Sequence, residues 1–206
     1  MKVTLIQSTP DPINLIAKIA SVCYDSDPKD PMKMVKHLYR NGHESVFEHV
    51  HFTFFVEGIT RACSHQVVRH RMCSFTQRSQ RYCDESIPDY MLPVGADDEL
   101  TDSIVYGLYK HYEAMCEAGV PKEDARYILP NAALTSMYIS MNLRELIHMC
   151  EERLCHRAQD EIRMMARLMR EQVDNDLKFM LVPRCGNPRH NCLEIKCPMK
   201  KVKENG

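Results

Sequence analysis

The sequence predicts an α+β fold, a mixed β-sheet packed with long helices in one domain. Three observations carry this. Segments 50–56 and 135–141 alternate apolar and polar residues with period two, as half-buried strands do. Longer segments repeat apolar residues every three or four positions, as helices do. The two kinds of segment do not alternate regularly, and no Gly-x-Gly-x-x-Gly follows a strand, which excludes a Rossmann sheet.

Taken in order, Val3, Leu5 and Ile6 predict a short first strand, and the Thr9-Pro10-Asp11-Pro12 turn leads to a helix through Ile13, Ile16, Ala17 and Ala20. Residues 25–31 are a loop rich in Asp and Pro. Met34, Val35 and Leu38 mark a second helix with Asn41-Gly42 as its C-terminal cap. In the strand that follows, Phe55 on the second face implies cover on both sides, and Gly58 is expected to end it. A helix over 59–72 would put Gln66, Arg69 and His70 on one face. Residues 84–98 read as a loop. Leu100, Ile104, Leu108, Tyr112 and Met115 then line a helix closed by Gly119, and a short helix over 122–129 stops at Pro130. Residues 142–173 contain no Pro or Gly and read as the longest helical segment, with Leu146, Cys150, Leu154, Ala158, Ile162, Met165, Met169 and Val173 on the core face. Arg153 lies at the rim of that stripe.

A chain of 206 residues with 44% hydrophobic residues suits one globular domain. A formal net charge of −1 argues against a general nucleic-acid binder, and no apolar run reaches the roughly 20 residues of a membrane span. The opening Met1-Lys2-Val3-Thr4-Leu5-Ile6 is too short for a signal peptide. The ten cysteines are therefore expected to be reduced thiols in a cytoplasmic protein. Among them, a nucleophile paired with histidine, as Cys63 with His65 or Cys155 with His156, is one possible chemistry.

Residues 69–82 concentrate the polar chemistry, with four arginines, a histidine, two serines, two glutamines and no lysine. Guanidinium groups are planar forks for phosphate and carboxylate oxygens. Four in so short a run repel one another unless anions sit among them. With only seven glycines, no Gly-rich cradle is available, so a bound phosphate must be held by side chains.

Arg69-His70-Arg71, seven residues, then Ser79 resembles the signature of flavin-dependent thymidylate synthases, the ThyX family. The block His43-Glu44-Ser45-Val46-Phe47-Glu48-His49, the Ser79-Gln80-Arg81-Tyr82 close, Ala125-Arg126-Tyr127-Ile128-Leu129-Pro130-Asn131 and Asn142-Leu143-Arg144 resemble that family's other blocks in order. The resemblance implies a catalytic domain over 1–180 and a Cys-containing tail over 181–206. It implies a homotetramer with interfacial sites that methylates dUMP to dTMP. Methylenetetrahydrofolate gives the carbon, and FAD reduced by NADPH gives the hydride. By position, Ser45, Arg69, His70, Arg71, Gln77, Asn142, Leu143, Arg144 and His148 resemble flavin contacts. Gln66, Arg69, Gln77, Arg78, Ser79, Gln80, Arg81, Arg126 and Arg153 resemble dUMP contacts, with Arg153 the residue that polarises the uracil. No Pro-Cys-His occurs to supply a cysteine nucleophile. Two rivals stand beside this: a C5-methylase of UMP, and a non-catalytic nucleotide or RNA binder stacking bases on Phe75 and Tyr82.

In the tail, Cys185, His190, Cys192 and Cys197 supply three thiols and an imidazole, enough for a tetrahedral zinc. Their spacing is not that of a paired Cys-x-x-Cys knuckle, and free thiols on a surface extension are the alternative. Either way the tail is not expected to alter the central reaction.

Overall fold

In the computed structural model, which describes residues 1–25, 29–190, 192–195 and 197, a four-stranded sheet organises the chain. Strands β1 (Lys2–Ser8), β2 (His51–Thr60), β3 (Cys73–Gln77) and β4 (Leu134–Asn142) lie in the order β1-β2-β4-β3. Every pairing is antiparallel, not mixed as expected. The helices do not cross the sheet to return a parallel strand; most of them collect on one face, the α+β arrangement. That face receives Phe52, Phe54 and Val56 from β2, and Met137, Ile139 and Met141 from β4. On the other face Phe55 stacks on Tyr138 with ring centroids 4.6 Å apart.

Helices α1 (Pro12–Ser21) and α2 (Pro31–Asn41) follow the sequence expectation, and Gly42 caps α2 at φ 74°. Gly58 does not end β2. It takes φ 67° at a bulge between Glu57 and Ile59, and the strand continues to Thr60. Thr60 then caps α3 (Arg61–Val67) by accepting from the Cys63 amide at 3.0 Å. Helix α3 is much shorter than the 59–72 expectation. Val67 and Val68 are poor helix formers, and residues 73–77 gain a full antiparallel ladder with β4 by leaving the helix. The strand β3 was not expected from sequence.

Helix α4 (Glu99–Glu117) buries Val105, Tyr109 and Tyr112, while Leu100 and Ile104 stay exposed. Its buried stripe is thus rotated from the expected one, because it packs on a separate small cluster with Ala133, Tyr90, Leu92 and Leu129. Helix α5 (Lys122–Ala125) runs into a 3-10 turn, Arg126–Ile128.

The expected long helix over 142–173 is two helices, α6 (Leu143–Arg153) and α7 (Asp160–Gln172). The break needs neither Pro nor Gly, because Arg163 Nη1 donates to the carbonyls of His156 and Ala158, each at 3.1 Å. Both helices keep their expected apolar residues in the core. Met180 and Leu181 are fully buried, and beyond them the chain runs back over α6. Arg170 Nε holds the Leu181 carbonyl at 2.7 Å, and Arg189 lies over the Tyr39 ring at 4.7 Å. Around Arg189 the tail is held onto the body, while Leu193 and Ile195 stay exposed. Among the described residues no helix is long and apolar enough to cross a membrane.

Candidate active site

Glu145 and Arg153 are eight residues apart on α6, about 12 Å along its axis, and His70 bridges them. The imidazole is 4% exposed. Its Nδ1 lies 3.0 Å from Glu145 Oε1, and Arg153 Nε donates to Nε2 at 3.0 Å. A guanidinium only donates, so Nε2 is the acceptor and Nδ1 carries the proton it gives to Glu145. Arg153 Nη2 donates to the Gln66 carbonyl at 3.3 Å. Half-buried Arg153 is thus fixed by an imidazole and a peptide carbonyl, with no carboxylate partner among the described residues. His148 completes the neighbourhood, its ring 5.7 Å from that of His70. The donor atoms of His70, Glu145 and His148 fall within 4.8 Å of one another. Both His70 nitrogens are already bonded and a guanidinium stands beside them, so this is a hydrogen-bonded chain and not a metal site.

Beside the chain opens a cavity of about 520 Å³ lined by Asn142, Arg144, Glu145 and His148, with Met72 bringing the segment after Arg71 to its edge. Asn142 accepts from the Glu145 amide at 2.9 Å and so caps α6. Arg144 bridges Glu44 at 3.0 Å and Glu48 at 2.6 Å, which flank exposed Ser45. Leu143 is buried and its amide donates to the Val50 carbonyl at 2.7 Å, so its side chain faces the core and not the cavity. From the tail, Arg184, Arg189 and His190 line the same space. Burial works to raise the Glu44 carboxyl, but the hydrogen bond and charge of Arg189, with Arg144 beside them, hold it below its ordinary value. The exposed Arg69 and Arg71 have no carboxylate partner among the described residues.

The remaining polar residues of the motif gather elsewhere. Gln77 donates to Ser64 Oγ at 3.0 Å and to Thr135 Oγ1 at 3.4 Å. Arg78 pairs with buried Glu85. Ser79 Oγ accepts from the Arg81 amide at 3.2 Å across half-buried Gln80. Arg81 holds Glu123 at 2.7 Å, and Arg126 Nε reaches the Glu123 carbonyl at 3.1 Å. Arg61, at the start of α3, joins this group by donating to the Arg78 carbonyl at 3.2 Å, and its own Nε is buried without a partner. Burial lowers the Arg61 guanidinium, with Arg126 and Arg78 adding to the effect against the pull of Glu85. Gln66 and Arg153 lie at the other end of α3, roughly 8 Å along its axis.

Residues 4–177 match the sequence profile of the family described as Thymidylate synthase complementing protein. The chain belongs to this family. It is 40% identical over 183 aligned positions to the flavin-dependent thymidylate synthase of Geobacter sulfurreducens, covering 81% of this chain and 79% of that protein. It is 36% identical to the Pyrococcus abyssi flavin-dependent thymidylate synthase, covering 100% and 93%. The Helicobacter pylori ThyX structure, complexed with FAD and dUMP, superposes with a TM-score of 0.76 at 18% identity, covering 88% of this chain and 98% of that one. The UMP/dUMP methylase PolB from Streptomyces cacaoi, bound with 5-Br dUMP, gives 0.70 at 24% identity, covering 82% and 88%. At those identities the likeness speaks for the fold.

Within this ThyX chain the cysteines fall into two sets. Burial pushes the Cys63 thiol up to about 12, and the Cys73 and Cys150 thiols as well. Cys63 is therefore a protonated core residue, not a nucleophile. Cys185, Cys192 and Cys197 line a second cavity, of about 570 Å³, together with Cys155 and His156. His190 is not with them; its Nε2 is 3.3 Å from Glu151 Oε2 at the first cavity. Sequence reasoning missed Glu145, Arg61 and the tail arginines. A buried glutamate one residue after Arg144 was a signal for the first. Nothing local marked the others. Phe75 packs on the core, which leaves only Tyr82 exposed for the base-stacking role.

Proposed function

We propose that this chain is a flavin-dependent thymidylate synthase, converting dUMP to dTMP with methylenetetrahydrofolate as carbon donor and NADPH as reductant. The observation that carries the reading is Arg153. Its partners are neutral, so none of its charge is cancelled by a carboxylate, and half-burial lowers the dielectric around it. Aimed at a uracil ring, such a cation stabilises the negative charge that makes C5 nucleophilic, with no enzyme adduct. The buried thiol of Cys63 is consistent with a route that uses no cysteine.

The residues present fit a flavin dinucleotide. Arg69 and Arg71 are exposed cations without acid partners, suited to a diphosphate, while Asn142, Arg144 and His148 line the adjoining cavity. Bound FAD supplies the hydride chemistry, with its reducing equivalents drawn from NADPH. Arg61, Arg78 and Arg126 form a second cationic centre that suits the nucleotide phosphate. We infer that the chain acts as a homotetramer in which a neighbouring subunit completes each site, as the resemblance to the family implies. Ten free thiols favour the cytoplasm.

The test is tritium release from dUMP labelled at C5, with UMP as a parallel substrate because of the likeness to the UMP/dUMP methylase fold. Release that requires FAD, NADPH and the folate together is expected. Release without the flavin, or none with all components and flavin bound, would overturn the proposal.

A further inference from the structure

We propose that Cys155, Cys185, Cys192 and Cys197 form a four-thiolate site for one zinc ion that clips the C-terminal segment to the end of α6. The sequence alone points to three tail thiols with His190. The fold replaces the imidazole with a fourth thiol from the α6–α7 turn. All four cysteines line one cavity of about 570 Å³, while His190 faces Glu151 at the other cavity. A divalent metal binds thiolates, and its binding releases their protons. Four sulfur ligands suit zinc in its closed, tetrahedral, structural form. The complex would carry two net negative charges, and the two arginines of the cavity wall, Arg157 and Arg184, are paired with Glu194 and Glu152. The sulfurs are less tightly gathered than the donor atoms of His70, Glu145 and His148, so metal capture rotates the thiols and draws the segment inward.

The site has a consequence for the chemistry nearby. Cys155 lies two residues after Arg153 in the chain. Arg189 and His190, between Cys185 and Cys192, line the cavity beside Arg144. One metal would fix both the turn that carries Arg153 and the segment that closes this cavity.

The experiment is elemental analysis of the full chain, purified under reducing conditions without chelator. About one zinc per chain is expected. Cys155→Ala should lose it at least about tenfold more readily to a mild chelator, while His190→Ala keeps it. Flavin absorbance shows whether each variant has folded. If Cys155→Ala does not fold, the apo wild-type protein reconstituted with cobalt(II) alone carries the test, since a tetrahedral tetrathiolate spectrum is expected. Four outcomes would overturn the proposal. These are metal-free protein that takes up no added zinc, iron in place of zinc, disulfides among the four cysteines, or zinc retained by Cys155→Ala and lost by His190→Ala.

Discussion

Glu145→Ala is the sharpest probe of the Arg153 arrangement, because Glu145 reaches Arg153 only through His70. Removing the carboxylate leaves the Nδ1–H of an imidazole that is 4% exposed without an acceptor, which costs about 1–3 kcal/mol. The ring can escape this by moving its proton to Nε2. That sets an N–H against the Arg153 Nε–H, donor facing donor across 3.0 Å. In that tautomer Arg153 loses the Nε2 acceptor that fixes its direction. If that cost appears in the transition state, turnover falls roughly five- to 150-fold at about 1.4 kcal/mol per decade. The assay is tritium release at saturating dUMP, with flavin content measured on the same sample. An interaction made in the transition state lowers kcat and leaves KM near its starting value. Glu145→Gln keeps an oxygen that can accept from Nδ1–H and loses only charge assistance, so it should recover most of the rate. A fully active, flavin-loaded Glu145→Ala protein would refute the reasoning. A Glu145→Gln protein as slow as the alanine variant would show that charge, not tautomer, is what matters.

Four further outcomes follow from the same structure. Arg153→Ala should retain flavin and lose about 10²-fold or more in turnover; undiminished tritium release would remove the polarising role. Cys63→Ala should keep its rate, at a stability cost of about 1 kcal/mol, and a flavin-loaded but inactive variant would restore the cysteine as nucleophile. Gly58→Ala puts a Cβ 3.2 Å from the Met1 nitrogen at φ +67°. This should cost about 1–2 kcal/mol and lower Tm by roughly 3–8 °C; an unchanged melting curve would contradict the bulge. Glu44 is held below its ordinary pKa by Arg189 and Arg144, against the opposing effect of burial. Its contribution is therefore present above an unfolded value of about 4.3 and is lost as pH falls through the lower folded value. Amide exchange in 184–190 should accelerate over that acid range in the wild type and much less in Glu44→Gln. Superimposable profiles would exclude the Glu44 clamp.

What could be read from the sequence was what local periodicity carries. Strands β2 and β4 stood out because their alternation coincides with one buried face. Helices α1 and α2 stood out because turn residues bound their stripes. The misses share a cause in tertiary competition. Residues 68–72 end a helical pattern next to a segment, 73–77, that can pair with β4, and the ladder wins. Residues 154–159 carry an unbroken apolar stripe, yet Arg163 supplies donors to the freed carbonyls and the helix breaks there. On α4, periodicity located a helix but could not say which side meets Ala133. At the site, the resemblance to the family named Arg153, His70 and Gln66. It could not show that Glu145 sets the proton on His70, since that depends on two segments meeting across 75 residues. The position of His190 was hidden for the same reason: it is near the tail cysteines in sequence but beside Glu151 in space, while Cys155 lines their cavity.

The arginine run raised the question of how so many cations tolerate one another, and the structure answers by sorting them. Arg78 and Arg81 each have a carboxylate, Glu85 and Glu123. Arg69 and Arg71 point to solvent, where water screens them. Arg61, outside the run, is the costly member. Half-removed from water, it has two guanidinium neighbours and a buried Nε with no acceptor. An unsatisfied buried donor on a charged group costs more than the 1–3 kcal/mol of a neutral one, and the carboxylate of Glu85 already serves Arg78. Burial raises the Glu85 carboxyl in spite of Arg78 and Arg61, so this glutamate is itself a reluctant anion. A dianionic phosphate among Arg61, Arg78 and Arg126 would satisfy the orphaned donor and relieve the repulsion together. The end of α3 that looks least stable in the free chain is thus the end best prepared for a nucleotide.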